Sequence, residues 1–154
     1  MKKVPKIGDV VEFKSESGYI YAHYSHKHKT FGPLLRVFRE IRKKRPENFD
    51  VIVTETPQYL VFFPLHAAVK QGVVEIVGNA SIPLQAQPFP LFRNGIADPI
   101  TKKIDIWWLW DGEKEWRVGK LTEEQRKLSM LQIVNDTALI ERVEAGYKPE
   151  NDGF

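Results

Sequence analysis

Residues 104–110 read Ile-Asp-Ile-Trp-Trp-Leu-Trp, and this stretch decides the fold. Three of the chain's four tryptophans lie in it. Side chains of a strand alternate between two faces, which places Trp108 and Trp110 on one face and Trp107 and Leu109 on the other. Aromatic and β-branched residues fit a buried, pleated surface. The stretch therefore predicts a central strand that other elements must cover on both sides.

Two hairpins are predicted around turn residues. After the tryptophan stretch, Asp111-Gly112 supplies a turn, and residues 115–118, which include the fourth tryptophan, form the returning strand. Near the beginning, a turn at residues 15–18 joins strands predicted at residues 10–14 and 19–24. A strand, a tight turn and a second strand are a common opening of small β-barrels.

The other predicted elements come from apolar periodicity and from helix boundary residues. Further strands are predicted at residues 34–38, 58–63, 73–77 and 91–93, although the first of these also has helical spacing. A helix over residues 65–71 ends before Gly72, and a capping box of Thr122 and Gln125 opens a helix toward Ile133. A last helix spans residues 138–145. Residues 25–32 form a polar loop, and residues 83–99, with four prolines, form an extended ledge.

The order of these elements defines the fold class. About seven short strands followed by two helices predict an α+β, mainly β protein, with a strongly bent SH3-like barrel or sheet and two C-terminal helices. A length of 154 residues suits a single domain spanning residues 1–154, with residues 1–5 and 148–154 as loose ends.

Composition limits the function classes. The hydrophobic fraction of 42% and charged fraction of 28% are those of an ordinary globular protein. No apolar run approaches the roughly 20 residues of a membrane span, and the charged N-terminus lacks the apolar core of a signal peptide. The chain contains no cysteine, which excludes disulfides, thiolate nucleophiles and cysteine-bound zinc. A cytoplasmic protein without a membrane partner is the expectation.

Charge is distributed unevenly along the chain. Residues 1–45 hold twelve Lys or Arg against four Asp or Glu, a balance of +8, whereas residues 111–154 hold seven against ten, a balance of −3. Six of the basic residues cluster at Arg36, Arg39, Arg42 and 43–45. Such a cluster indicates a solvated surface, or a face for phosphates or an acidic protein. With the nearby Tyr19, Tyr21 and Tyr24 it raises the alternative of a nucleic-acid-binding module, although basic and aromatic residues do not interleave as RNA-binding signatures require.

Catalytic and metal-binding signals are sparse. The chain has no glycine-rich phosphate loop, no Gly-x-Ser-x-Gly elbow and no His-Glu-x-x-His helix. His23, His26 and His28 are the one local cluster, and in an extended chain His26 and His28 project to the same side. Flanking lysines and the lack of a neighbouring carboxylate argue against a metal there, so these histidines are predicted to contact a partner. Neither an enzyme nor a cofactor or metal is predicted.

Several segments resemble the bacterial immunity protein 26 family, in the order in which that family shows them. They are residues 6–10 (Lys-Ile-Gly-Asp-Val), the aromatic strand at 18–24, residues 73–79 with a proline-rich continuation to 90–92, the Trp and Asp-Gly hairpin, and residues 136–146. The segment between His26 and Phe62, with its basic run, matches that pattern less clearly.

The resemblance implies a small, cytoplasmic, β-rich immunity protein that binds and neutralises the cognate toxin of a polymorphic toxin system, without chemistry of its own. The residues that we predict to contact the partner are Tyr21, His23, His26, His28, Arg36 and Arg39. Either the contacted face of the toxin is acidic and meets the basic N-terminal part, or the contact uses the acidic C-terminal helices.

Overall fold

The computed structural model describes residues 3–154 and contains two antiparallel sheets. The first sheet has the strand order β4-β3-β2-β1-β5, and the second has the order β6-β7-β8. The strands of the first sheet are β1 (Asp9–Ser15), β2 (Gly18–His28), β3 (Gly32–Val37), β4 (Tyr59–Phe62) and β5 (Glu75–Asn79). The strands of the second are β6 (Phe92–Asn94), β7 (Trp107–Trp110) and β8 (Glu115–Gly119). The α+β, mainly β class is confirmed.

The predicted barrel is not closed. β4 and β5 are the two edges of the first sheet, and no pairing joins them among residues 3–154. The sheet is instead covered on both faces. Helices α1 (Leu65–Gln71) and α3 (Asp136–Glu144) cover one face, where Phe13, Val37 and Leu139 belong to the main core. The opposite face packs Tyr21 and Phe38 against residues 49–53 and Ala80.

The first hairpin, α1 and its C-terminal glycine occur where the sequence predicts them. β1 pairs with β2 from Val10 opposite His23 to Ser15 opposite Gly18. Gly72 follows α1 with a φ of 79°, a left-handed conformation that glycine adopts without steric cost. Residues 34–38, which also had helical spacing, lie mostly in β3.

The prediction of a polar loop at residues 25–32 is wrong, because β2 continues to His28. The polar side chains of this half of the strand find partners far along the chain: His26 contacts the main-chain oxygen of Gln87 at 2.8 Å, and His28 contacts that of Gly112 at 2.8 Å. A polar strand is stable here because its hydrogen-bonding groups are satisfied by other segments.

The tryptophan strand is central but shorter than predicted. β7 lies between β6 and β8, and the pairing with β8 shifts between Trp107 and Trp108. Side chains still alternate between two faces: Trp107 and Leu109 are buried in one core cluster and Trp110 in another, while Trp108 is exposed. The expectation of full cover on both faces is therefore wrong at Trp108.

The first C-terminal helix is much shorter than predicted. The capping box of Thr122 and Gln125 is present, but α2 (Glu123–Arg126) is a single turn. Residues 129–134 are extended instead and link the two sheets: Met130 pairs with Arg93 of β6, and Ile133 pairs with Phe62 of β4. Backbone pairing with two strands outweighs the helical spacing of this segment.

The C-terminal residues are anchored, contrary to the prediction of a loose end at 148–154. Asp152 forms an ion pair with the fully buried Arg93, and Pro149 is buried in a short turn of helix. At the other end, Pro5 is buried, and residues 1 and 2 lie outside the described residues.

Candidate functional site

An irregularity in β2 brings Ser25 and His26 together. The pairing of β2 with β3 shifts between Tyr24 and His26, so Ser25 is the extra residue of a β-bulge, and such bulges redirect side chains. Nδ1 of His26 lies 2.9 Å from the Ser25 hydroxyl, and its Nε2 lies 2.8 Å from the Gln87 main-chain oxygen. Because that oxygen only accepts, Nε2 carries a proton, and in the neutral imidazole Nδ1 accepts from Ser25.

His28 faces the same side as His26, as predicted for an extended chain, since both rings contact Phe89. Its Nε2 donates to the Gly112 oxygen, and its Nδ1 accepts from the backbone of Thr30 and Phe31. The ring is also 4.9 Å from that of Trp110. His28 therefore joins the tip of β2 to the β7–β8 turn and serves the packing between the two sheets.

His23 and Arg36 are neighbours across β2 and β3, and both are buried. His23 bonds through Nε2 to the oxygens of Gly8 at 3.1 Å and Ala80 at 2.9 Å. Burial is the largest influence on this imidazole and lowers the pKa of His23 below its ordinary value. His23 thus ties β2 to the segments that flank β1 and β5.

Arg36 is 5% exposed and bonds only to neutral groups. Its guanidinium donates to the main-chain oxygen of Val53 at 2.8 Å and to that of Glu55 at 3.2 Å, with Nδ1 of His23 at 3.5 Å. Burial lowers the pKa of Arg36 from its ordinary value. Within residues 3–154 no carboxylate lies within ion-pair distance of it.

Tyr21 belongs to a buried network. Its hydroxyl donates to Glu12 at 2.7 Å, and Arg45 contacts the same carboxylate at 2.9 Å and 3.0 Å. Burial, followed by the bond to Glu12, raises the pKa of Tyr21 above its ordinary value. Burial alone would raise the pKa of Glu12, but the hydrogen bonds from Arg45 and Tyr21 outweigh it and the pKa lies below the ordinary value.

The buried positions of Tyr21, His23 and Arg36 remove these side chains from the protein surface. We therefore correct the predicted contact set, because a broad protein surface cannot contact them directly in this conformation. His26 and His28 are half-buried and Arg39 is exposed, so these residues keep the predicted contact role.

The basic cluster is largely engaged within the protein. Arg45 pairs with Glu12 and Glu75, and Arg42 pairs with Glu40 at 2.9 Å and Glu55 at 3.3 Å. Lys43 donates to the main-chain oxygen of Ser17 at 2.8 Å. Only part of the +8 charge deduced from the sequence is therefore available to an external phosphate or carboxylate.

A cleft of about 380 Å³ lies between the first sheet and the proline-rich segment. We call residues 83–90 the proline ledge and this cavity the ledge cleft. Its polar lining includes Ser25, His26 and Arg36, and its apolar lining includes Leu60 and Phe89. A neighbouring cleft of about 640 Å³, which Arg39 lines, has three basic and three acidic lining residues: Arg39, Lys127 and Lys148, and Glu40, Glu55 and Glu150.

Four exposed apolar side chains lie along the segment from the end of β6 into β7. Ile96 is 93% exposed and Ile100 is 90% exposed, both in the loop between β6 and β7, and Ile106 and Trp108 are also exposed. Asp98 holds the tip of this loop by accepting from the backbone of Ile100 and Thr101 at 2.8 Å and 2.9 Å. We call these four side chains the isoleucine–tryptophan surface. Exposed apolar surfaces commonly contact partners.

The described part of the chain offers neither a metal-ligand cluster nor a membrane-spanning helix. Residues 3–154 contain no group of three or more His, Asp or Glu side chains placed to hold a metal ion. None of their helices combines the length and the apolarity needed to cross a bilayer.

Sequence reasoning missed Ser25 and the isoleucine–tryptophan surface. Nothing in the sequence signals the bulge that turns Ser25 toward His26. Ile96 and Ile100, in contrast, lie in a segment that contains Gly95, Pro99 and a turn. Large apolar residues are unexpected in such a segment, so the sequence could have indicated that these two residues are exposed.

Comparison with known proteins gives no assignment: we found no family model, no curated protein and no solved structure that matches the chain.

Proposed function

We propose that this protein is a non-catalytic, cytoplasmic immunity protein that binds a cognate toxin domain and neutralises it. The observation that carries the proposal is the isoleucine–tryptophan surface, where large apolar side chains face solvent on a loop fixed at its tip by Asp98. Aromatic and aliphatic anchors of this kind dominate the energetics of protein interfaces. The resemblance to immunity proteins supplies the class of partner.

The occupied histidines support a binding role over a catalytic one. His23 and His28 use both ring nitrogens in contacts within the protein, and His26 joins the bulge to the proline ledge. Side chains held in this way stiffen the scaffold that carries the exposed loops, and a stiff scaffold lowers the entropic cost of binding.

The alternative of a nucleic-acid-binding module has less support. Arg36 is buried, and Arg42 and Arg45 are paired with carboxylates. Phosphate binding by these three would require the loss of internal contacts. A weak affinity for single-stranded DNA, without a steep dependence on salt concentration, is the expected result of a titration followed by fluorescence anisotropy.

The proposal is tested by co-expression. We expect the adjacent gene to encode a large secreted protein with a variable C-terminal domain; that domain is the partner to co-express, and the readout is rescue of growth. Rescue by the unmodified protein is expected. The double variant Ile96→Asp and Ile100→Asp should abolish rescue, because a buried carboxylate without a partner is costly at an interface.

Leu84→Asp is the matched control, since Leu84 is an aliphatic side chain that is 80% exposed on a different part of the surface. It should rescue growth as well as the unmodified protein. Failure of the unmodified protein to rescue would refute the immunity function. Rescue by the double variant would show that another surface binds the toxin.

A further inference from the structure

The starting point is the uncompensated charge of Arg36. Arg36 is only 5% exposed, burial of a guanidinium is costly, and main-chain oxygens offset part of that cost without neutralising the charge. Arg93, which is fully buried, shows the usual solution, because its guanidinium is paired with Asp152. Within residues 3–154 Arg36 has no such carboxylate.

Arg36 also keeps donors available. A guanidinium has five N–H groups, and the contacts of Arg36 use Nη1 toward Val53 and His23 and Nη2 toward Glu55. No hydrogen bond to its Nε is formed within residues 3–154. The Nε–H and the second Nη2–H are donors of the type that bind a carboxylate in a bidentate manner.

The cavity beside Arg36 has a complementary mixture of surfaces. The ledge cleft has a volume of about 380 Å³, near the lower end of the roughly 300–1,000 Å³ of small-molecule sites. Ser25 and His26 add a hydroxyl and an imidazole to its lining, while Leu60, Ala86 and Phe89 add apolar area. A few polar groups in an otherwise apolar cavity are typical of a site that orients one ligand.

The charges favour a monoanion over a phosphate. Arg36 brings one positive charge, and Glu55, which also lines the cleft, is engaged with Arg42 at 3.3 Å. A dianion would exceed the available positive charge and would be repelled by the Glu55 carboxylate. A planar carboxylate needs one guanidinium only.

We propose that the ledge cleft binds a small organic carboxylate, whose anion pairs with Arg36 beside Ser25 and His26 and whose apolar body packs on Leu60, Ala86 and Phe89. Binding supplies the counter-charge that the fold does not provide. The site is separate from the isoleucine–tryptophan surface, so it does not depend on toxin binding. The carboxylate can belong to a free acid or to the C-terminus of a peptide, since both present the same group.

The probe is para-fluorobenzoate, with para-fluorobenzamide as the neutral analogue, and binding is followed by fluorine NMR and by backbone amide shifts of the protein. The acid should bind at least about tenfold more tightly than the amide, a difference typical of one charge-assisted bidentate contact. Amide shift changes should be confined to residues that line the cleft, namely 25–26, 36, 54–56, 60, 85–86 and 89. Equal affinity for acid and amide would overturn the proposal, as would an absence of binding by both the acid and the free-C-terminus peptide described below at millimolar concentration.

Variants separate the site from general stability. Ala86→Phe fills the cleft without removing a charge or a hydrogen bond, and it should abolish binding of the acid. Ala67→Phe, on the exposed side of α1, adds the same ring elsewhere and should leave binding unchanged. Arg36→Lys keeps the charge but loses the pair of parallel N–H donors of the guanidinium. A folded variant should therefore bind the acid about tenfold more weakly. Undiminished binding by Ala86→Phe would place the acid elsewhere and refute the site.

A second arm identifies the source of the carboxylate. An acetylated Gly-Gly-Phe peptide with a free C-terminus is compared with the same peptide amidated. Binding of the free peptide at the ledge cleft assigns a chain terminus, whereas binding of para-fluorobenzoate without the peptide assigns a small free acid. Either result supports the carboxylate site.

Discussion

At the scale of single residues, the polar side chains that the sequence singles out act mainly inside the protein. His23 joins Gly8 and Ala80, and Tyr21 shares the buried Glu12 with Arg45. Buried polar groups are stable only when they are hydrogen-bonded, so these contacts constrain how the strands and their flanking segments meet. The histidine and tyrosine side chains that could have served a reaction therefore hold the fold together instead.

The burial of His23 predicts a pH-dependent stability. Its pKa in the folded protein is lower than the ordinary value of 6.5, so the unfolded chain binds more protons below that pH. The free energy of unfolding should therefore fall as the pH is lowered from about 6.5 toward 5. His23→Gln keeps a donor for the two oxygens and cannot titrate, and it should flatten this dependence.

The measurement is urea unfolding at several pH values. His66→Gln, at an exposed position of α1, is the control and should keep the slope of the unmodified protein. A slope that persists in His23→Gln would assign the dependence to other groups. Below about pH 4.5 the carboxylates with a lowered pKa, Glu12, Asp98 and Asp111, become protonated, and the stability that their charged forms add is lost.

At the scale of elements, local signals were reliable where the local chain decides the conformation. The turn between β1 and β2 and the glycine after α1 were predictable from their own residues. The continuation of β2 to His28 and the extended conformation of residues 129–134 were not predictable from their own residues. Both depend on partners distant in sequence: Gln87 and Gly112 for the histidines, and β4 and β6 for the segment.

The ledge cleft shows the same limit for the candidate site. Its lining comes from β2, β3, the segment after the turn at 52–54, and the proline ledge. The sequence indicates His26 and Arg36 by their type. It does not indicate that a bulge and a proline-rich segment enclose them, because the enclosure is a property of the tertiary packing.

The two capped C-terminal helices should differ in how much their caps contribute to stability. Asn135 caps α3, with its side-chain oxygen 2.8 Å from the Ala138 nitrogen, and α3 buries Leu139 and Val143 in the main core. Thr122 caps α2, which buries no residue. Asn135→Ala should therefore lower the free energy of unfolding by about 1 kcal/mol.

Thr122→Ala removes an equivalent contact, at 3.1 Å from the Gln125 nitrogen, and should cost much less than Asn135→Ala. A single exposed turn frays without exposing core area, so its loss is local. Denaturant unfolding of both variants measures the two losses in the free energy of unfolding. Equal losses would mean that α2 contributes to the cooperative core as much as α3.

At the scale of the whole molecule, the two sheets are held together by an aromatic cluster and by the C-terminus. Phe62 of the first sheet packs on Phe92 and Trp110 of the second, with ring centroids 5.5 Å and 6.1 Å apart. Arg93 of β6 then bonds to the oxygens of Leu128 and Pro149 and pairs with Asp152. The end of the chain is thus part of the second sheet's core.

This anchoring predicts a large effect from a small change near the C-terminus. Asp152→Ala leaves the fully buried Arg93 with an uncompensated charge, and breaking a buried ion pair in this way costs about 3 to 5 kcal/mol. Glu150→Gln, two residues earlier, removes a carboxylate that forms no ion pair within residues 3–154 and should change stability by less than about 0.5 kcal/mol. Thermal and urea unfolding of both variants give the comparison.

The guanidinium of Arg93 also lies 5.0 Å from the Trp107 ring. Tryptophan fluorescence should therefore detect the unfolding of the second sheet first in Asp152→Ala. Stability equal to that of Glu150→Gln would show that the ion pair with Asp152 contributes little to the stability of the fold.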